Sequence, residues 1–190
     1  GYYAEGFSII NNSWGGGGHS QALYDAIARA RDAGVLFVAA AGNSATDTDS
    51  QPHYPSGYDL DNIISVAAVD RRGDMASWSN YGRNTVDLGA PGVDIFSTVA
   101  DSDSSYAYYS GTSMAAPHVS GVAALVLATD ENLGSAEVRA RLLNTTSPLS
   151  ALDGRTTTGG MVHAAQAVGG GNDDMLELSL SESENPLRAG

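Results

Sequence analysis

The stretch that decides the fold is Gly111-Thr112-Ser113-Met114-Ala115-Ala116-Pro117-His118-Val119-Ser120-Gly121-Val122-Ala123-Ala124-Leu125-Val126-Leu127. A short polar turn runs into small and aliphatic residues, with no acidic or basic charge before Asp130. The pattern predicts a helix buried on nearly all faces, with one hydroxyl at its mouth. Pro117 has no N–H, which fits the first turn of a helix, where that N–H would be orphaned anyway. This reading puts Ser113 at or just before the helix start. The helix dipole is positive there, and free backbone N–H groups can meet a developing negative charge. Gly111 would let another chain come close. A serine in this position is, by itself, read as an N-cap.

The whole string says more. Gly111 to Gly121 closely resembles, over eleven residues in one run, the nucleophile segment of the subtilisin-like serine proteases. The resemblance extends from about Phe7 to about Val168. It implies a three-layer α/β fold, mostly parallel sheet with helices on both faces, whose N-terminal part is missing. It also implies that Ser113 attacks the scissile carbonyl of a polypeptide substrate and that its own N–H helps hold the oxyanion. The chemistry requires no cofactor; a structural calcium ion is implied by resemblance only.

Composition sets the bounds. A chain of 190 residues has room for one domain with a real core. Net charge is −13, and all nine basic residues are Arg. That argues against nucleic acid and against an anionic membrane as partners. Without Cys there is no disulfide and no thiol chemistry. No apolar run is read as a membrane span. There is no initiating Met, so the chain is expected to be mature, processed or cut from something longer.

In chain order, Phe7–Ser13 reads as a strand that turns polar at its end, followed by Trp14 and Gly15 to Gly18. A glycine run is a flexible connection and also a place where a substrate backbone can approach. By the resemblance, Ser13, Trp14 and Gly15 pair with the peptide substrate as an added strand and form one wall of the pocket for the residue before the cut bond. Trp14 departs from the branched aliphatic residue usual there. A phosphate loop is excluded, because no Lys follows. Ser20–Ala33 is an amphipathic helix capped by Ser20 and closed by Gly34. Val35–Ala41 is a continuous apolar strand, as expected for a parallel strand covered on both faces. Asn43 follows it, at the carboxyl end where open α/β sheets gather their chemistry. By itself Asn43 is a turn former; by the resemblance its amide completes the oxyanion hole. Ala39, Ala40, Ala41 and Gly42 would floor the pocket with Thr112 nearby, leaving room for a large apolar side chain.

Thr46–Gln51 reads as a solvated loop, lacking the full calcium-loop pattern. His53 aligns with the far rim of the family's pocket and is a candidate for tuning substrate choice. Ile63–Val69 is a buried strand and Val86–Leu88 a short one. Asp87 can join a weak cation site in the family, though a surface charge is the default. Ile95–Val99 and Ala107–Tyr109 read as a hairpin delivering Gly111. Ser135–Asn144 is a helix with Ser135 as cap and a Glu137–Arg141 pair. By the resemblance Thr156–Val168 closes the catalytic domain, so that 1–168 is expected to be its C-terminal portion and 169–190 an acidic linker or the start of a further module.

A serine nucleophile needs a base, and the base needs an orienting carboxylate. By the resemblance they lie in the chain order Asp, His, Ser, and the match begins after the segments for Asp and His. None of the four histidines fits; His118 in particular is expected to point into the core. Two accounts compete: the C-terminal portion of an active protease whose missing N-terminal segment supplies His and Asp, or an inert protease-derived binding piece. The acidic surface and the family point to a secreted or extracytoplasmic enzyme. With its first strands missing, the chain is expected to leave an apolar sheet edge uncovered and to self-associate.

Overall fold

A computed structural model describes residues 6–169; the acidic stretch read as a linker lies, beyond Gly169, outside the described residues. Six strands form one sheet in the order β1-β2-β3-β4-β8-β7: β1 (Ile9–Asn12), β2 (Leu36–Ala40), β3 (Ile63–Val69), β4 (Leu88–Pro91), β7 (Ser147–Pro148) and β8 (Gly160–Met161). The first four pairings are parallel, and β7 runs antiparallel to β8. All residues of β2 and β3 are buried. That is what continuous apolar strands covered on both faces require.

Alternation along these strands sorts the two faces. Leu36, Val38, Ala40, Ile64, Val66 and Ala68 pack against α2 (Thr112–Thr129) and α3 (Ser135–Asn144). Phe37, Ala39 and Ile63 pack against Ile27 of α1 (Gln21–Asp32). The three-layer arrangement with helices on both faces is therefore present. Ser20 caps α1 by accepting the Leu23 N–H, and Gly34 follows it at φ +77°. A separate hairpin joins β5 (Ile95–Thr98) to β6 (Tyr106–Tyr109). The last helix, α4 (Ala164–Ala167), is one turn capped by His163.

Several expectations are corrected. The strand expected at 86–88 lies at 88–91. The α3 cap is Gly134, whose N–H is taken by the Glu137 carboxylate at 2.8 Å, so Glu137 reaches back rather than forward to Arg141. Helix α2 is not enclosed all round. Pro117, His118, Gly121, Ala124, Leu125 and Ala128 form an outward stripe, with Leu125 53% exposed. By length and composition α2 could cross a membrane, contrary to the sequence reading, yet its inner face packs on β1 to β4 as a core helix does. Pro117 sits in the second turn, not the first. Close approach at the helix entry is made by Gly92 rather than Gly111: a Cβ on Gly92 would lie 2.9 Å from the Gly111 carbonyl oxygen. Strand β1 ends the sheet among the described residues.

Asp87 is neither a surface charge nor free for a cation. Arg139 Nη2 lies 2.8 Å from Asp87 Oδ1, and the Ser65 N–H donates to Oδ2 at 2.8 Å. Arg139 Nε also donates to the Ile63 carbonyl, tying α3 to β3. Burial pushes the Asp87 carboxyl above its ordinary value of 3.8, against the opposing pull of Arg139 and the Ser65 N–H.

Removing one member of a buried pair strands the other, at a cost of about 3–5 kcal/mol. Asp87 is the more deeply buried partner, with side-chain exposures of 13% against 29% for Arg139. Arg139→Met is therefore expected to destabilise more than Asp87→Asn at neutral pH. A raised folded value means that the ionised carboxyl is the costlier form once folded. The extra cost of Arg139→Met should thus appear as pH rises above about 3.8 and vanish below it. Denaturant titrations of both variants against the parent at several pH values check this.

Candidate active site

Helix α2 begins where strand β2 ends, and Thr112 joins them. Its N–H and its Oγ1 both donate to Asn43 Oδ1, at 2.9 and 2.8 Å, and its Oγ1 accepts the Gly42 N–H at 3.1 Å. Thr112 is 1% exposed. With its oxygen engaged twice, the Asn43 carboxamide presents Nδ2 outward on an exposed residue. Asn43 Nδ2 and the Ser113 backbone N both lie 3.6 Å from one point, the position a Gly111 Cβ would take. No protein acceptor among the described residues takes the Ser113 N–H. Two free donors, one from an amide and one from a helix start, thus face one point close to Gly111, an arrangement suited to a developing oxyanion.

Ser113 Oγ donates to the Ser13 carbonyl at 2.8 Å, and Ser13 Oγ donates to the Ser113 carbonyl at 2.8 Å. The second bond exists because Pro117 has no N–H to claim that carbonyl. Asn12, 4% exposed, donates through Nδ2 to the Trp14 carbonyl at 2.6 Å and sets the path of the glycine run. Trp14 itself is 59% exposed.

The other proposed pocket residues divide. Gly15 and Gly42 flank the His53 ring. The methyls of Ala39, Ala40 and Ala41 lie in three different core clusters, so their side chains are core and not an open pocket floor. His53 is half-buried, its Nδ1 3.0 Å from Ser56 Oγ, and burial holds its pKa below the ordinary 6.5. His118 is exposed rather than inward: its Nδ1 donates to Met114 O, and it shares with Ser113 a cavity of about 400 Å³ against the β5–β6 hairpin. His19 packs among Tyr24, Tyr54 and Tyr58. No described histidine hydrogen-bonds Ser113 Oγ.

Asn80 is a residue that the sequence does not single out. It is 2% exposed. Its Nδ2 donates to the Ala41 carbonyl, its Oδ1 accepts the Ser44 and Thr46 N–H groups, and its own N–H donates to the Gly42 carbonyl. It therefore shapes the turn that carries Asn43. Gly42, at φ +104°, is needed because a Cβ would strike Asn80 Nδ2. Asp49 does comparable work in the loop read as solvated. Burial raises its carboxyl, but hydrogen bonds from Thr85 and Asn84 outweigh this and hold it below its ordinary value. Among the described residues no three His, Cys, Asp or Glu side chains converge to hold a metal.

A parallel sheet between two helical layers, with a serine at a helix start beside the carboxamide that ends a neighbouring strand, is a fold of the subtilisin-like kind. The chain belongs to the subtilase family, whose model matches residues 2–171. It is 43% identical over 145 residues to the thermophilic serine proteinase of Bacillus sp. strain AK1, covering 76% of this chain and 34% of that one. It is 40% identical over 173 residues to the extracellular basic protease of Dichelobacter nodosus, covering 84% and 27%. A solved protease of Pseudoalteromonas arctica PAMC 21717 matches at TM-score 0.76 and 37% identity, covering 85% of this chain and 50% of that one. The chain thus spans half or less of these relatives' lengths.

Thr112→Val removes the acceptor for the buried Gly42 N–H and one of the two bonds that aim Asn43. A loss of about 1–3 kcal/mol in unfolding free energy is expected, with Thr112→Ser close to the parent. Urea midpoints at unchanged slope would measure it.

Proposed function

We propose that the protein is a serine endopeptidase that hydrolyses peptide bonds through an acyl-enzyme, with Ser113 as nucleophile. The observation that carries this reading is the shared approach of Asn43 Nδ2 and the Ser113 backbone N to one point, the position a Gly111 Cβ would take. Ser113 Oγ attacks the carbonyl carbon, and the tetrahedral oxygen takes up charge between the two donors. Ser13, Trp14 and Gly15 hold the substrate on one side, and Gly42, Thr112 and His53 hold or shape the other. The base that accepts the Ser113 proton, and the carboxylate behind it, are assigned to a further N-terminal segment of the same domain. The partners are polypeptide substrates, with neither nucleic acid nor membrane. An extracytoplasmic location is part of the proposal, supported by a relative named as extracellular. The chemistry is assigned to side chains and backbone alone, with any structural calcium held away from Asp87, whose oxygens already have partners.

The alternative, an inert protease-derived piece, is favoured by one feature: Ser113 Oγ spends its proton on a backbone carbonyl. A serine-directed fluorophosphonate separates the two. The 190-residue chain alone should not react, whereas the protein with its N-terminal portion restored should be labelled at Ser113. Absence of labelling there would leave only the inert reading. In the complete protein, Asn43→Ala should lower kcat by about 10²–10³ with KM little changed, a magnitude known for that amide in subtilisin itself and borrowed here. An effect confined to KM would remove Asn43 from the oxyanion hole.

A further inference from the structure

Small residues on the pocket walls lead the sequence reading to expect a large apolar side chain before the cut bond. The structure fills that space. The His53 ring lies between Gly15 and Gly42, the two glycines that end the opposing wall segments. A Cβ on Gly15 would collide with His53 Cε1 and come within 3.0 Å of Nε2; a Cβ on Gly42 would lie 2.9 Å from Nε2 and 3.0 Å from Cδ2. Both walls are therefore already in contact with the imidazole.

The ring is braced from behind. Ser56 Oγ donates to the His53 carbonyl at 3.1 Å and meets Nδ1 at 3.0 Å. A hydroxyl has one hydrogen, and this one is committed to the carbonyl. With the hydroxyl hydrogen on the carbonyl, the neutral tautomer that fits is the one donating from Nδ1 to Ser56 Oγ, with Nε2 an acceptor at the glycine-lined gap. No described protein group bonds Nε2. The Gly57 N–H holds the same His53 carbonyl at 2.7 Å, and the Gly16 N–H bonds the Tyr54 carbonyl at 2.8 Å, which fastens the His53 loop to the glycine run. Ser56 is 6% exposed. Swinging the ring away costs at least its contact with Ser56 Oγ.

We propose that His53 is the specificity-determining residue of the pocket between Gly15 and Gly42, restricting the residue before the cut bond to a short side chain, alanine or serine, and excluding phenylalanine and leucine. This rests on the protease reading above. Burial lowers the pKa of the ring below its ordinary 6.5 and so favours the neutral form, in which Nε2 offers a lone pair that a serine hydroxyl can meet and a phenyl ring cannot. A pocket that is short by several carbons discriminates strongly, since one methylene alone is worth about 10–200-fold.

The test uses the complete protein, with its N-terminal portion, and four peptide anilides that differ only in the residue before the anilide bond: Ala, Ser, Phe or Leu. The parent is expected to favour Ala and Ser over Phe and Leu by at least about tenfold in kcat/KM. His53→Gly should reverse the order by raising Phe and Leu, while His53→Gln, which keeps the bulk, should retain the parent's preference. Thermal melts of both variants check that they fold, and the parent's own preference is read without any variant. A parent that prefers Phe or Leu overturns the proposal. So does a His53→Gly variant that folds but keeps the parent's ratios, or a parent that fluorophosphonate labels at Ser113 but that cleaves none of the four. Failure of labelling together with failure of cleavage overturns the protease reading itself, and this inference with it.

Discussion

The structure depends on the double engagement of the Asn43 carbonyl oxygen by Thr112. One short side chain at the end of β2 is locked to the first residue of α2 by an N–H and a hydroxyl. That lock sets the distance between a strand end and a helix start, two elements far apart in sequence. It also decides which end of the carboxamide faces out. An amide whose oxygen is satisfied twice can only present its NH₂. The donor is thus aimed by its own acceptor's partners, with no charge introduced into the site.

The lock works because its surroundings are rigid. Gly42 must take φ +104° so that Asn80 can fill the space beside it, and Asn80 in turn ties both sides of the turn. Thr112 also accepts the Gly42 N–H. Each buried polar group here answers to another, so the network can remain inside the protein without the penalty of unmade bonds. Elsewhere in the fold, the pair of Asp87 with Arg139 serves architecture: it fastens α3 to β3 through the Ser65 N–H and the Ile63 carbonyl.

The fold was legible where burial alone sets the pattern. Ile63–Val69 reads as a strand because all seven residues are apolar or small, and it is one, end to end. Ser20 and Gly34 bound α1 by cap chemistry that any sequence displays. The candidate site was legible only through the resemblance of a long string, since neither Ser113 nor Asn43 differs locally from a cap or a turn former. The misses among polar residues have one cause: the sequence does not say which polar group a side chain will meet. Glu137 could pair with Arg141 or with the Gly134 N–H, and the nearer fixed donor won. Asn80 looked like any turn residue. The face of α2 carrying Gly121, Ala124 and Leu125 has the same composition as its buried face, so periodicity could not separate exposed from enclosed.

Pro117 explains the state in which the Ser113 hydroxyl is found. Its missing N–H leaves the Ser113 carbonyl open, and Ser13 Oγ takes it. This holds the end of β1 against the first turn of α2, so the Ser13 carbonyl arrives within reach of Ser113 Oγ. The two bonds are not equal in consequence. The one to the Ser113 carbonyl concerns a backbone group that chemistry never uses, and it can persist throughout a reaction. The one from Ser113 Oγ is a hydroxyl-to-carbonyl contact between neutral groups, worth on net about 0.5–1.5 kcal/mol. A carbonyl oxygen cannot take the proton away; it can only hold the hydroxyl. A base arriving on the open side of α2 would offer the hydroxyl an acceptor that does take the proton, and the first bond would keep the scaffold in place while the second was exchanged. On the proposed function, then, the serine is positioned but not activated, and the difference between the two states is a single hydrogen bond.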